Sequence, residues 1–225
     1  MKQNYFNFIR TNTSLSRLSL VPEIKLYMAS DITRLWHMTE NDLRQKDIDP
    51  PFWAFPWPGG QAIARYLLDN PLVIKDKYAL DLASGSGIAG IAALLASARH
   101  VDFNEIDSLA CKSIRLNIMA NRLNLSPSIL EENLISNSAR RRPKKNGWET
   151  ILAGDVFYEQ PMSKNIIKWL LDKAREGTEI LIGDPGRSYF PWGAFEKIAE
   201  YSVETPQMVE GRNEVVTGVY RVKPK

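Results

Sequence analysis

A chain of 225 residues, 44% of them hydrophobic, has the length of one α/β domain and can bury a full core. Its net charge of +3, from 29 basic and 26 acidic residues, is too small to imply nucleic-acid binding. One cysteine, Cys111, excludes a disulfide framework and fits a reducing, cytoplasmic setting; two isolated histidines, His37 and His100, give no metal-ligand spacing, and no apolar run approaches the about 18 residues of a membrane span.

Residues 1–20 contain Lys2, Arg10 and Arg17, no acid and several Ser and Thr. Organelle transit peptides share that composition, but the simpler expectation is an N-terminal arm or short helix. Residues 21–50 are predicted to form one or two charged helical segments that stop at Asp49-Pro50-Pro51, where proline disfavours continuation. Phe52 to Gly60 interleaves aromatics with prolines, which suits neither a regular helix nor a central strand. Gln61 to Leu68 is predicted helical, with Ile63, Leu67 and Leu68 on one face.

From residue 78 strand and helix signals alternate. Strands are expected at 78–83, 100–105, 128–132, 149–154 and 179–183, and helices near 88–98, 107–123, 161–174 and 192–199. That alternation predicts one α/β domain with a mostly parallel, Rossmann-like sheet. Tyr201–Thr205 and Glu214–Val222 are joined by a link too short for a crossover, so they are expected to form an antiparallel pair at the sheet edge. Five basic residues between Arg140 and Lys145 read as a solvated loop, or else as a docking surface for an acidic partner.

The chemistry starts at Leu80-Asp-Leu-Ala-Ser-Gly-Ser-Gly-Ile-Ala-Gly90, a strand that breaks into a glycine-rich turn and resumes as a small-residue helix. Gly85, Ser86 and Gly87 let backbone amides approach a ligand closely, and Glu105, about 20 residues on, is placed to hold ribose hydroxyls. The stretch fits the dinucleotide pattern, so NAD must be weighed. Asp81 inside the strand opposes a pyrophosphate and suits a cofactor bearing an ammonium and a sulfonium, which favours S-adenosylmethionine. The remaining reading is a turn that binds nothing.

Ligands in such sheets sit beyond the C-terminal strand ends. There Asp155 is expected to accept an N–H of an acceptor amine and stabilise the ammonium that forms, with Phe157 and Tyr158 walling the channel. Trp53, Phe55 and Trp57 are candidate π faces for a cation, although core packing accounts for them equally well. Asp155 also reads as a helix cap, and Asp184-Pro185-Gly186 as a plain turn. Asp155-Val-Phe-Tyr158 lacks the prolines that nucleobase amine methylases carry at this position.

The Trp57-Pro-Gly-Gly-Gln61 block, the glycine loop, Asn104-Glu-Ile-Asp107, Gly154-Asp-Val-Phe-Tyr158 and Leu181-Ile-Gly-Asp-Pro-Gly-Arg187 occur in this order. Together they resemble the electron transfer flavoprotein β-subunit lysine methyltransferases, within the seven-β-strand methyltransferases. The resemblance implies S-adenosylmethionine as donor and protein lysine as acceptor, with Asp155, Phe157 and Tyr158 at the acceptor channel. It extends the cofactor set to Trp57, Gly60, Asp81, Gly85, Ser86, Gly87, Glu105, Ile106 and Asn133. Two features depart from the family pattern: Glu105 in place of aspartate, and a longer basic 140–145 segment. The flavoprotein β subunit is the expected substrate of a cytoplasmic, bacterial-type monomer. Ribosomal protein L7/L12, an L11-like protein or a small molecule is the alternative acceptor, and a non-catalytic cofactor-binding module is the second alternative.

Overall fold

The chain alternates strand and helix from residue 78 because short, nearly continuous apolar runs, buried on both faces, are separated by turns and longer helical stretches. A computed structural model describes residues 5–29, 51–123, 128–136, 147–206 and 210–223. Its helices are α1 (Tyr5–Asn12), α2 (Pro58–Asp69), α3 (Ile88–Leu95), α4 (Ser108–Ala120) and α5 (Met162–Arg175). The strands are β1 (Thr13–Arg17), β2 (Lys25–Ala29), β3 (Tyr78–Leu82), β4 (His100–Asn104), β5 (Ser128–Leu130), β6 (Thr150–Gly154), β7 (Glu179–Asp184), β8 (Phe195–Glu204) and β9 (Glu214–Val222).

The main sheet has seven strands in the order β5-β4-β3-β6-β7-β9-β8. All run parallel except β9, which pairs antiparallel with both β7 and β8. The order reverses between β3 and β6, so the crevice for a ligand opens beyond the tips of those two strands. On one face α2, α3 and α4 bury Ile63, Leu67, Ile91 and Ile114 against Ala79, Phe103, Leu152 and Leu181. On the other, α5 buries Ile166, Trp169 and Leu170 against Leu80, Ile151, Ile180 and Ile182.

Two expectations fail. Residues 192–199 are not helical: β8 begins at Phe195 and carries a bulge between Lys197 and Ala199. Phe195 joins the α5 side of the core while Ile198 packs on the α2 side, so two apolar residues three apart imitate a helical face. Within 21–50, Lys25–Ala29 is a strand paired with β1 in an antiparallel ribbon, and residues 30–50 lie outside the described set. The N-terminal arm does form a short helix, α1, whose Ile9 packs with Trp53, Phe55, Leu109 and Leu116. The basic 140–145 segment also lies outside the described residues.

Candidate active site

β3 delivers the chain into the glycine loop at Leu82. Gly85 and Gly87 adopt left-handed φ of 53° and 81°, which any Cβ would strain. A Cβ on Gly85 would meet nothing within 4 Å, so that position faces open space. Gly90 serves packing instead, since its Cβ would lie 2.3 Å from the Phe103 ring. The loop is tied down from three sides. Ser84 N–H donates to the Asn104 carbonyl (2.9 Å), the Asn117 amide donates to the Ser86 carbonyl (2.9 Å), and Glu105 Oε2 accepts from Gly85 N–H (2.9 Å).

Glu105 Oε1 also accepts from the Ile106 and Asp107 amides, at 2.8 and 3.4 Å. Burial raises its pKa. Asp81 lies within β3, as expected. Its carboxyl is buried beneath the loop, where Oδ2 accepts from Gly90 N–H at 2.9 Å, and burial pushes it up to about 8. It therefore secures the start of α3 and is not exposed on the open side. Ile106 is exposed beside Glu105, whereas Asn133 lies on the loop after β5 with its Oδ1 accepting from Ile135 and Ser136 amides.

Three glycines let α2 cross directly over the tips of β6 and β7. A Cβ on Gly183 would stand 2.0 Å from the Gly59 carbonyl oxygen, one on Gly59 2.1 Å from that of Gly183, and one on Gly154 2.7 Å from Gly60 N. Pro58 at the first helical position fits the helix start, but Trp57 offers no side-chain cap. The cap comes from the sheet: Asp155 Oδ2 accepts from Gly59 N–H at 2.6 Å. Gly60 packs against Ile88 and so joins α2 to the glycine loop's helix.

Asp155 leaves β6 with a left-handed φ of 56°. Its Oδ1 accepts from Arg187 Nε (3.1 Å) and Nη2 (2.6 Å), and Arg187 also donates through Nη1 and Nη2 to Glu210 at 2.9 and 2.6 Å. The Arg187 guanidinium lies 5.5 Å from the Trp57 ring centroid. Asp184 is fully buried nearby; its Oδ1 accepts from the Gly186 and Arg187 amides, and its Oδ2 has no hydrogen-bond partner among the described residues. Burial pushes Asp155 up to about 7 against the pull of Arg187, and pushes Asp184 to about 6. For Arg187, Glu210 and Asp155 outweigh burial and raise its pKa.

The turn at Asp155 separates the two aromatics that follow. Phe157 does not wall a channel: it is fully buried, edge-to-face with Phe190 at 5.7 Å. Tyr158 is exposed, 6.2 Å from Phe52, which in turn lies 5.9 Å from Trp57. Trp53 and Phe55 are core residues, so the rim consists of Phe52, Trp57 and Tyr158. Sequence reasoning brought the Gly183–Arg187 segment to the site but read it as a turn, gave Asp184 and Arg187 no role, and did not single out Glu210. Asp184 and Arg187 were legible as the tip of a strand next to the switch point; nothing in the sequence marks Glu210.

Residues 54–190 match the family model for lysine methyltransferase. The chain belongs to that family. Curated relatives of this lysine methyltransferase include the human electron transfer flavoprotein β subunit lysine methyltransferase, 35% identical over 96% of this chain and 81% of the relative. The zebrafish (Danio rerio) protein of the same name is 40% identical over 82% of this chain and 68% of its own. A Thermoplasma acidophilum structure (TM-score 0.52, 16% identity) covers 72% of this chain and 89% of its own. A Pyrococcus horikoshii structure provisionally described as an RNA methyltransferase (TM-score 0.55, 17% identity) covers 84% and 97%. Both share the fold. The matched stretch contains the methyltransferase's glycine loop, Glu105, Asp155 and Arg187, and leaves out Glu210 and the β1–β2 ribbon.

Proposed function

We propose that this lysine methyltransferase moves a methyl group from S-adenosylmethionine to lysine side chains of the electron transfer flavoprotein β subunit. The observation that carries the reading is an excess of buried carboxyl groups over basic groups, among the described residues, at the tips of β6 and β7. Three carboxyls, Asp155, Asp184 and Glu210, stand against one guanidinium, Arg187, beside an aromatic rim. A site of that makeup favours a cation and disfavours a pyrophosphate. The flavoprotein as acceptor is supported by the names of the curated relatives.

The residues fit the proposed donor. Open space over Gly85 admits a ligand close to the backbone of Gly85, Ser86 and Gly87, and the Glu105 carboxylate beside it suits ribose hydroxyls. S-adenosylmethionine supplies, when bound, an electrophilic methyl on a cationic sulfur. The chain's own residues hold the acceptor. Of the four lone-pair positions on the Asp155 carboxylate, Arg187 and Gly59 occupy three, and one on Oδ2 remains. That position accepts an N–H of the neutral lysine amine, aims the amine for in-line attack and stabilises the ammonium product. Phe52, Trp57 and Tyr158 flank the lysine stem and face its charge. Phe157 anchors the loop from beneath.

Cys111 is buried, with its thiol pushed up to about 12, which suits an inert packing role in a reducing cytoplasm. A monomer acting alone on its protein substrate completes the reading. The test is incubation with labelled S-adenosylmethionine and either the purified β subunit or ribosomal protein L7/L12, read by mass spectrometry. Methylated lysine in the β subunit is expected. Methylation of L7/L12 alone would move the substrate assignment to the ribosome.

A further inference from the structure

The Arg187 side chain has more fixed partners than a turn residue needs. Its backbone N–H donates to Asp184 Oδ1 at 2.6 Å, so the start of the side chain is held as well as its head. The guanidinium edge formed by Nη1 and Nη2 meets both oxygens of Glu210, and the edge formed by Nε and Nη2 meets Oδ1 of Asp155. Its plane lies by the Trp57 ring. A planar fork can satisfy two carboxylates along two edges at once, which a lysine's point charge cannot.

We propose that Arg187 is a positioning residue for methyl transfer: clamped by Glu210 and Trp57, it holds the Asp155 carboxyl in the orientation that meets the acceptor amine and favours its ionised form. The inference rests on the role given to Asp155 above. Asp155 has Gly59 N–H on one oxygen and Arg187 on the other, with Asp184 as the neighbouring like charge and Glu210 reaching it through Arg187. Burial and Asp184 both favour the protonated carboxyl, and Arg187 opposes them. Removing the guanidinium therefore raises the pH at which Asp155 ionises. Neutralising Glu210 leaves Arg187 wholly to Asp155 and does not raise it. A residue that merely packs would not separate those two effects.

The test measures kcat for methylation of the flavoprotein β subunit against pH in the parent, Arg187→Met, Arg187→Lys and Glu210→Gln. The Asp155 carboxyl is titrated by carbon NMR in the same proteins, and S-adenosylhomocysteine affinity is measured by calorimetry. In Arg187→Met, kcat is expected to fall by about 10- to 100-fold. The lower break in its pH–rate profile and the Asp155 titration should both move to higher pH, with cofactor affinity retained. Arg187→Lys should keep the break near its parental position and recover part of the rate, while Glu210→Gln leaves the break unmoved or lower. An Asp155 titration at its parental midpoint in Arg187→Met would overturn the proposal. So would full parental kcat in that variant, or in Arg187→Lys should the methionine variant not fold. The underlying role fails separately: Asp155→Asn with parental kcat and an unchanged profile would remove it whatever Arg187 does.

Discussion

Asp155 serves the fold and the proposed chemistry with the same carboxylate. One oxygen caps α2 through Gly59 N–H and the other joins Arg187, so its replacement has a structural cost as well as a catalytic one. Asp155→Asn should lower methyl transfer by at least about 100-fold, consistent with loss of a positioned charge. The lost cap and ion pair should cost about 1–3 kcal/mol of stability. Steady-state kinetics and urea unfolding measure the two separately. Asp81, whose pKa burial also raises, makes a prediction in pH. Its folded pKa of about 8 stands above its ordinary 3.8, so between those values the folded protein binds more protons than the unfolded chain. The contribution of Asp81 is therefore present at low pH and lost as pH rises through about 8. Asp81→Asn should gain on the parent as pH rises, by at most ~1.4 kcal/mol per pH unit. Urea unfolding at mildly acidic and mildly alkaline pH checks the sign; a constant difference would contradict it.

At the scale of elements, contact between α2 and the tips of β6 and β7 is what assembles the site. Gly59→Ala and Gly183→Ala place a methyl about 2 Å from backbone oxygen, where no flexible side chain can yield. Each should destabilise by about 3 kcal/mol or more and separate Asp155 from its cap. Gly193→Ala, with nothing within 4 Å of its Cβ, should change stability by less than about 0.5 kcal/mol. A second junction lies on α4. Asn117 accepts from Tyr27 N–H (2.8 Å) and donates to the Ser86 carbonyl, while Asn121 makes two bonds to the Lys25 backbone. The β1–β2 ribbon and the glycine loop therefore share one buried amide. Asn117→Leu should cost about 2 kcal/mol and weaken S-adenosylhomocysteine binding. Asn121→Ala should loosen the ribbon with little effect on the cofactor, since its bonds do not reach the loop. Denaturation and calorimetry on the pair distinguish the two junctions.

For the whole molecule, a ligand that binds only the folded state raises its stability by mass action. S-adenosylhomocysteine at about 100 times its Kd should add about 2.7 kcal/mol. For a chain of this length that is a rise in Tm of about 5–10 °C. NAD should give none, because carboxyls outnumber basic groups among the described residues of the site and disfavour a pyrophosphate; differential scanning fluorimetry decides it. The sheet and the glycine loop were legible in the sequence because short apolar runs and glycine turns are properties of neighbouring residues. The 20-residue spacing from Gly85 to Glu105 was legible for the same reason, as one helix and one strand set it. Phe195–Ala199 was not, because a bulge breaks the alternation and only pairing with β9 exposes it.

Local sequence is enough to set the α/β alternation, the glycine loop after Leu82 and the place of Asp155 at a strand tip. Those features follow from local turn chemistry and short apolar runs. Packing in three dimensions sends Phe157 into the core, leaves Tyr158 at the rim and puts the Asp81 carboxyl under the loop. It also decides which charges meet. Arg187 stands 32 residues from Asp155 and 23 from Glu210, yet reaches both at 2.6 Å. Buried charges interact through distance in space and through the water excluded around them, and neither is a property of a linear pattern.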